Sequence, residues 1–355
     1  MRKRTFIALL LPLGLLGGCS EINFADEPIS STAVSTDSSE NSATKDIFAM
    51  DTYMRLTAYG SAAEDAVEAA ASYIENMDAL MSTGLETSEI AQLNATGTMM
   101  LSADSAAVMQ RAIEICHDTD GAFNPLMYPV MEAWGFPSKE YRVPMQDELE
   151  ELLTLTDISQ VQFHEADGQV SFGIDGMKAD LGGIAKGYTS SQIKEIFNSF
   201  GVTSGLVTLG GNVQAVGSKT DGSPWRVAVQ NPESEGEYLG VLEVSDKAVI
   251  TSGGYERYFE EDGKKYHHIM DPDSGYPAEN GLTSVTIVSE DGTLADALST
   301  ALFVMGLENA SDYWQEHSQQ FDAVFLTETG TILVTEGIED IFSSGYAWTV
   351  IEKES

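Results

Sequence analysis

Basic residues are scarce in this chain. Its 355 residues include 18 Lys and Arg against 56 Asp and Glu, which gives a formal net charge of −38 at pH 7. Binding to nucleic-acid phosphates requires clustered cations, so no nucleic-acid partner is expected. The acidity instead favours solubility and the attraction of divalent cations.

Cysteine and the common nucleotide motifs are also scarce or absent. Two cysteines occur, Cys19 and Cys116, and no CxxC or HExxH pattern indicates a zinc site. Cys116 falls late in a helical pattern, which predicts a small buried apolar residue. No predicted strand leads into GxGxxG or GxxxxGK(S/T), so neither usual dinucleotide or nucleotide fingerprint is present. No internal repeat indicates a solenoid.

No segment after the N-terminus is apolar enough to cross a bilayer. At the N-terminus, the basic segment Arg2–Arg4 precedes a short apolar run at residues 6–16, and two glycines lead into Cys19. The run is short for a transmembrane helix and typical of a secretory signal peptide. Small residues before a cysteine resemble a bacterial lipobox, which predicts removal of residues 1–18 and lipid attachment to Cys19. The alternative is an ordinary signal peptide with an incidental cysteine.

This N-terminus predicts an extracytoplasmic protein that is lipid-anchored to a bacterial membrane, at the cell membrane or its periplasmic face. Residues 19–46 are rich in Ser, Thr, Asp and Glu and contain few large apolar side chains. Such a composition buries too little surface to fold and predicts a disordered tether. We therefore expect one large folded domain over residues 47–350.

Helical and strand patterns alternate within that domain. Helical spacing predicts helices at residues 62–80, 103–117, 184–200, 293–305 and 309–317. Strands are predicted at residues 48–59, 205–216, 225–230, 239–244, 248–251 and 282–288, with hairpins at 162–172 and 323–334. Long helices combined with hairpin-linked strands are typical of an α+β fold, with mixed sheets and packed helices, rather than a doubly wound parallel sheet.

Residues 251–276 are the most informative segment for function. Two aromatic runs flank Asp262-Gly263, which predicts a type I′ hairpin, and the second run ends in His267 and His268. Successive side chains of a strand point to opposite faces, so only one of these histidines can face a given pocket. Taken alone, the segment is explained equally well by a surface hairpin with a solvated histidine pair.

A second candidate site lies in Asp180–Tyr188, which runs from a strand end through Gly182-Gly183 into a helix. Free backbone N–H groups at such a helix start suit an anion. Lys186 falls in the first turn, where the helix dipole disfavours a cation unless the side chain faces a phosphate. The alternative is a glycine pair required for tight packing beside a solvated Lys186.

A third candidate is the pair Asp296 and Thr300, which lie one helical turn apart and share one face. A carboxylate and a hydroxyl converging from one face can hold a hard cation such as Mg²⁺ through oxygen. Alone, the pair is equally compatible with a helix-start residue and a packed β-branched residue.

These segments belong to a longer ordered set. The chain carries, in sequence order, Met50–Thr52, Met81–Thr83, Ser88–Asn94, Thr119–Pro125, Trp134–Phe136, Asp180–Tyr188, Gly210–Asn212, Thr251–Pro277 and Ala295–Thr300. Together they closely resemble the ApbE family, bacterial FAD:protein FMN transferases formerly called thiamine-biosynthesis lipoproteins. The resemblance covers about residues 47–345 and implies an α+β ApbE-type fold with a T-fold-like core.

The resemblance also implies a reaction. FAD is the substrate, its pyrophosphate is split in a Mg²⁺-dependent step, and AMP leaves. FMN passes to a threonine hydroxyl of an acceptor protein through a phosphoester bond. The implied partners are FAD and the flavin-acceptor proteins of membrane redox complexes.

Residue roles follow from the matched motif positions. The implied Mg²⁺ ligands are Asp296, Thr300 and the backbone carbonyl of Gly183. Contacts to FAD are implied for Met50, Ala122, Phe123, Asn124, Asp180, Lys186 and Met270. The family histidine near the pyrophosphate corresponds to His268 or His267, and catalysis is expected to use Asp296, Lys186 and that histidine.

Two departures from the family pattern bear on function. Gly84 stands where many members carry an aromatic residue that stacks on the flavin, and Asn124 stands where many carry Asp. Without the aromatic residue, FAD is expected to be held less tightly. An alternative function is therefore an FAD pyrophosphatase, which releases FMN and AMP. A non-enzymatic flavin-binding or solute-binding lipoprotein is a further alternative. A flavin-acceptor role is disfavoured because the chain lacks the Asp-Gly-x-(Ser/Thr)-(Gly/Ala)-(Ala/Ser)-Thr motif.

Overall fold

A computed structural model describes residues 41–234 and 236–354. The predicted signal peptide, Cys19 and the tether up to residue 40 lie outside the described residues. Within them the helices are α1 (Ala63–Met81), α2 (Glu89–Thr96), α3 (Ala103–Asp118), α4 (Tyr128–Trp134), α5 (Gln146–Leu153), α6 (Ala185–Ser199) and α7 (Gly292–His317).

The strands form one large sheet and several small ones. In chain order they are β1 (Ser42–Ala49), β2 (Thr52–Tyr59), β3 (Thr98–Met100), β4 (Val161–His164), β5 (Gln169–Phe172), β6 (Ser204–Leu209), β7 (Asn212–Gly217), β8 (Trp225–Gln230), β9 (Tyr238–Val244), β10 (Ala248–Gly253), β11 (Tyr258–Glu261), β12 (Lys264–His267), β13 (Leu282–Ser289), β14 (Phe321–Thr327), β15 (Ile332–Thr335), β16 (Phe342–Ser343) and β17 (Trp348–Ile351). The large sheet has nine strands in the order β1-β2-β6-β7-β10-β13-β14-β15-β17. Its pairs are antiparallel except β15 with β17. The small sheets are β16-β9-β8, β3-β5-β4 and β11-β12.

The large sheet is covered on both faces. On β14, Phe325 joins the core cluster that contains residues of α3 and α7, whereas Val324 and Leu326 join the cluster of β8 and β9. Side chains alternate between faces along a strand, so each central strand needs apolar residues at successive positions. The helices therefore cover one face of the sheet and the β8–β9–β16 sheet covers the other.

The predicted helices over residues 62–80, 103–117 and 184–200 are confirmed as α1, α3 and α6. The two helices predicted at 293–305 and 309–317 together correspond to α7, which is interrupted at Gly306 with φ 75° and ψ 169°. The side-chain amide of Asn280 donates to the carbonyls of Phe303 and Val304, which this break exposes. The hairpin around Asp262-Gly263 is confirmed as β11–β12.

Two predictions at the N-terminus of the domain are wrong. Residues 42–46 belong to β1 rather than to the tether, because a polar, alternately exposed segment can still pair its backbone with β2 as an edge strand. The single strand predicted at 48–59 is a hairpin. It turns at Met50-Asp51, which both have positive φ, of 48° and 58°, as a type I′ turn requires.

The strand predicted at 205–216 is likewise a hairpin, β6–β7, that turns at Gly210-Gly211. A side-chain carbon at Gly210 would lie 2.4 Å from Thr52 Oγ1, so glycine is required for the close approach of the two hairpin turns. Among the described residues, no helix combines the length and the apolar content needed to span a membrane.

Candidate functional site

Asp296 is the centre of the candidate site. It lies on α7 with an exposed fraction of 5%, and its carboxylate accepts two hydrogen bonds from distant parts of the chain. Oδ2 accepts from the Gly187 N–H at 2.7 Å, and Oδ1 accepts from Asn212 Nδ2 at 2.9 Å. Gly187 belongs to the first turn of α6, so the carboxylate satisfies one of the N–H groups that the start of a helix leaves unpaired. Asp296 therefore joins α6, α7 and the β6–β7 turn.

The contact between α6 and α7 is unusually close at Gly187. A side-chain carbon at this position would lie 2.2 Å from the Gly292 carbonyl oxygen and 2.5 Å from Asp296 Cβ. Only a residue without a side chain permits the two helices to approach this closely.

The other two residues implied as metal ligands lie together at the start of α6. A side-chain carbon at Gly183 would lie 3.9 Å from Thr300 Oγ1 and 3.2 Å from Phe123 Cε2. Thr300 Oγ1 is also 3.4 Å from Ser252 Oγ, which binds Ser299 Oγ at 2.7 Å. The structure thus places Gly183, Thr300 and Phe123 next to one another.

This oxygen-donor set fits Mg²⁺. The described residues contain no group of three or more His, Cys, Asp or Glu side chains that could hold a metal ion by themselves. Mg²⁺ is commonly bound through one or two carboxylates, with waters and substrate phosphates completing its shell. One carboxylate (Asp296), one hydroxyl (Thr300) and one backbone carbonyl (Gly183) are therefore compatible with Mg²⁺ and not with a closed structural zinc site.

Asp180 and Lys186 meet at the glycine pair that precedes α6. Asp180 Oδ1 accepts from the Gly182 N–H at 2.8 Å, and Lys186 Nζ donates to the Gly182 carbonyl at 3.3 Å. Burial raises the pKa of Asp180, and this shift is opposed by the Gly182 hydrogen bond and by the charges of Arg257 and Lys186. Lys186 falls in the first turn of α6, as predicted.

The two histidines have different environments. The Ile269 N–H donates to His267 Nδ1 at 3.3 Å, and His267 Nε2 lies 3.2 Å from the Ala278 carbonyl, so Nε2 carries the proton. The ring also packs edge-on against Phe303. Because both ring nitrogens bind backbone, His267 holds the hairpin in place and has no ring nitrogen left for a ligand.

His268 is the histidine with a free nitrogen. Its Nδ1 lies 3.2 Å from the Arg257 carbonyl, which requires the proton on Nδ1 and leaves Nε2 as an acceptor. Burial lowers the pKa of His268 to about 3, assisted by the positive charges of Arg257 and Lys186. His268 is therefore neutral at physiological pH.

Two charged residues that the sequence did not single out, Glu256 and Arg257, interact electrostatically with the charged residues of this site. Glu256 precedes the hairpin, and burial raises its pKa to about 7, with Lys186 and Arg257 opposing the shift and Asp296 adding to it. Arg257 acts on Asp180, Glu256 and His268. In sequence, both look like ordinary charged residues of a surface hairpin, and only their interactions with residues far along the chain distinguish them.

An aromatic cluster attaches the β11–β12 hairpin to α4. Trp134 is fully buried, donates from Nε1 to the Gly275 carbonyl at 2.8 Å and packs against Phe259, Tyr266 and Tyr276. Since β11 and β12 pair only with each other among the described strands, this cluster holds the segment that carries His268.

The other residues implied as flavin contacts have different settings in the structure. Asn124 donates from Nδ2 to the Thr156 carbonyl at 3.0 Å and accepts from the Leu126 N–H at 2.9 Å. A carboxylate could not donate to Thr156, which explains Asn at this position. Met50 donates its backbone N–H to Asp78 Oδ1 at 3.0 Å. Met50 and Ala122 are partly buried and pack against the main apolar core, whereas Met270 is buried in the apolar cluster that contains Trp134.

Comparison with known proteins gives a consistent result. Residues 50–325 match the model of the ApbE family. An FAD:protein FMN transferase of Treponema pallidum is 34% identical over 292 residues, which cover 78% of this chain and 80% of that protein. One from Klebsiella pneumoniae is 36% identical over 231 residues, which cover 64% of this chain and 71% of that protein.

Solved structures match at the level of the fold. The crystal structure of the ApbE protein of Thermotoga maritima superposes with a TM-score of 0.80 at 32% identity, covering 85% of this chain and 99% of that one. The apo form of the Pseudomonas stutzeri flavinyl transferase ApbE superposes with a TM-score of 0.77 at 26% identity, covering 88% and 100%.

Proposed function

The chain belongs to the ApbE family, and on that basis we propose that it is a Mg²⁺-dependent FAD:protein FMN transferase that modifies a threonine of an acceptor protein and releases AMP. The observation that carries the proposal is the position of Asp296. Its buried carboxylate meets the start of α6 beside Thr300 and Gly183, with the cation of Lys186 in the same helical turn. A passive flavin-binding site has no need for this arrangement.

In the proposed reaction the acceptor threonine oxygen bonds to the flavin-side phosphorus. The bond from that phosphorus to the bridging oxygen breaks, and AMP leaves with the bridging oxygen and its electron pair. The proton of the threonine hydroxyl passes to a carboxylate of the site. No redox change occurs, so FAD is the only co-substrate required.

Each residue of the site has a part in this scheme. Asp296, Thr300 and the Gly183 carbonyl would hold Mg²⁺, which supplies charge neutralisation for the phosphoryl oxygens. Lys186 places a positive charge at the same end of α6. Neutral His268 offers Nε2 as a hydrogen-bond acceptor, held in orientation by the Arg257 carbonyl. Such positioning and electrostatic stabilisation supply most of the catalysis in phosphoryl transfer.

The proposal is tested by incubating the purified protein with FAD, Mg²⁺ and an acceptor domain that carries the family acceptor motif. We expect flavin fluorescence on the acceptor band of a denaturing gel, the mass increase of one FMN, and one AMP per modified acceptor. An acceptor with its threonine replaced by alanine is the control. Release of FMN and AMP without acceptor labelling would instead support the FAD pyrophosphatase, and binding without turnover would support the flavin-binding lipoprotein.

Membrane attachment through Cys19 is part of the same proposal, supported by the N-terminal sequence. In a bacterial host, the wild type should partition into the membrane fraction and incorporate labelled palmitate. Cys19→Ala should lose the label because the acylated thiol is gone, whereas Cys116→Ala, which removes the other cysteine, should keep it. Equal labelling of Cys19→Ala and wild type would show that the lipobox interpretation is wrong.

Gly84 is expected to limit how tightly the flavin is held. It is exposed, its nearest neighbour for a side-chain carbon is Ser82 Oγ at 4.0 Å, and its φ is not positive, so a larger residue fits without strain. The preceding Thr83 and the more distant Asp180 both interact with Tyr128 and act on its pKa.

Gly84→Tyr should therefore lower the dissociation constant of FAD roughly fivefold, because aromatic stacking contributes about 1 kcal/mol beyond area burial. Gly84→Ala adds no stacking surface and should bind FAD as the wild type does. Isothermal titration of the three proteins makes the comparison. If the Gly84→Tyr protein melts at the same temperature as the wild type and binds FAD with the same affinity, residue 84 does not contact the flavin.

A further inference from the structure

Most cations of the described residues form ion pairs, as expected for a chain with so large an excess of acidic residues. Examples are Lys45 with Glu68, Arg55 with Asp46, Arg142 with Glu148, Lys178 with Glu132 and Lys264 with Glu279. Lys186 and Arg257 are among the few cations that form no ion pair with a carboxylate in the part of the chain that the structure describes. Both belong to the candidate site.

The two cations face the same groups from different elements. Lys186 projects from the first turn of α6 and is fixed to the Gly182 carbonyl, and Asp180 is fixed to the N–H of that same glycine. Arg257 approaches from the segment before β11. Asp180 and His268 interact electrostatically with both cations, so Lys186 and Arg257 act on the same two groups.

Two cations that act on the same site without ion-pair partners repel each other, and an anion bound between them offsets this repulsion. Burial raises the pKa of both neighbouring carboxyls, Asp180 and Glu256, and the charges of Lys186 and Arg257 oppose both shifts.

The backbone holds Arg257 in position while its guanidinium stays available. The Arg257 carbonyl accepts from the His268 N–H at 3.0 Å and lies 3.2 Å from His268 Nδ1, which ties it to the histidine of the site. Arg257 Nη2 makes one long hydrogen bond, of 3.4 Å, to the Phe136 carbonyl. A guanidinium has five N–H donors, so most remain for a ligand, and their planar arrangement matches two oxygens of a phosphate.

We propose that Arg257 binds a phosphate of the FAD pyrophosphate and so selects dinucleotide over unphosphorylated flavin. This inference rests on the proposed function, because it takes FAD as the ligand. It assigns to Arg257 a contact that the motif positions do not imply.

The test compares ligand binding by the purified protein and three variants, R257Q, R257K and K265Q. Lys265 is a matched control, because it lies on the same hairpin with its Nζ 4.0 Å from the Tyr258 ring centre and outside the site. Isothermal titration with FAD and with riboflavin, which has no phosphate, separates charge recognition from flavin recognition.

We expect R257Q to raise the FAD dissociation constant about tenfold or more and to leave that of riboflavin unchanged, because a charge-assisted hydrogen bond is lost. R257K should recover part of the loss, and K265Q should match the wild type. Raising the salt concentration should weaken FAD binding by the wild type more steeply than by R257Q.

The proposal is overturned if R257Q and wild type bind FAD equally, if R257Q weakens riboflavin as much as FAD, or if K265Q has the same effect as R257Q. Because the readout is binding, its failure is separate from failure of the proposed function. A wild type that shows Arg257-dependent FAD binding but transfers no FMN would support this inference while removing the transferase assignment.

Discussion

Replacing Asp296 with alanine is expected to reduce FMN transfer from FAD by about a hundred- to a thousandfold or more, because a metal ion contributes several kcal/mol to charge stabilisation in the transition state. Asp296 supplies the one side-chain carboxylate of the proposed donor set. Its removal also leaves the Gly187 N–H and Asn212 Nδ2 without their acceptor.

Asp296→Asn distinguishes charge from shape. An asparagine can still accept from Gly187, and Asn212 can turn its amide to match, so the local fold should survive. The negative charge is lost, however, and FMN transfer should fail nearly as badly as in Asp296→Ala. EDTA should reproduce the defect in the wild type, with recovery on adding Mg²⁺ to the wild type alone.

A matched control lies on the same helix. Asp291 caps the start of α7 by accepting from the Leu294 N–H at 3.1 Å, away from the proposed donors. Asp291→Ala should lower the free energy of unfolding by about 1 kcal/mol through loss of this cap and should retain FMN transfer. Measured transfer at a normal rate by Asp296→Ala would refute the metal-site assignment.

The second large effect is expected from Gly187→Ala. The new methyl group would lie 2.2 Å from the Gly292 carbonyl oxygen and 2.5 Å from Asp296 Cβ, and neither group can turn aside as a flexible side-chain end could. Helices α6 and α7 must separate, which should lower the free energy of unfolding by about 3 kcal/mol. At roughly 2–4 °C per kcal/mol for a large domain, Tm should fall by about 6–12 °C.

The same displacement moves Asp296 and Thr300, which both lie on α7, away from Gly183 at the start of α6, so FMN transfer should fall even at temperatures at which the variant is folded. Gly345→Ala is the control, because no atom lies within 4 Å of a side-chain carbon at that position and its φ is not positive. Thermal melts and transfer rates of both variants decide the outcome. A Gly187→Ala protein with wild-type Tm would contradict the close helix contact.

Local patterns predicted the regular elements well. Helices α1, α3 and α6 and strand β8 lie close to where apolar periodicity put them, because these elements bury one face along their whole length. One error lies at the Gly210-Gly211 turn, which the glycines do mark, and the other two concern segments without a strong signal. Met50-Asp51 forms a positive-φ hairpin turn without glycine, and the polar edge strand β1 has the composition of a tether.

Sequence alone determined the α+β class, the ordered motifs that identify the ApbE family, and the candidate residues at the start of α6 and on α7. These features are local, since each depends on residue type and spacing within one segment. The α+β fold is confirmed by the structure and by the solved ApbE proteins, and the N-terminal lipid anchor at Cys19 stays a prediction.

Only the tertiary structure decided how these segments meet. It made His267 the structural histidine and left His268 with a free nitrogen. It brought Arg257 into electrostatic interaction with Asp180 and placed the Asp296 carboxylate on the Gly187 N–H, a hydrogen bond between residues 109 positions apart. Such contacts follow from the packing of helices and sheet around a common core, and no spacing within a segment encodes them.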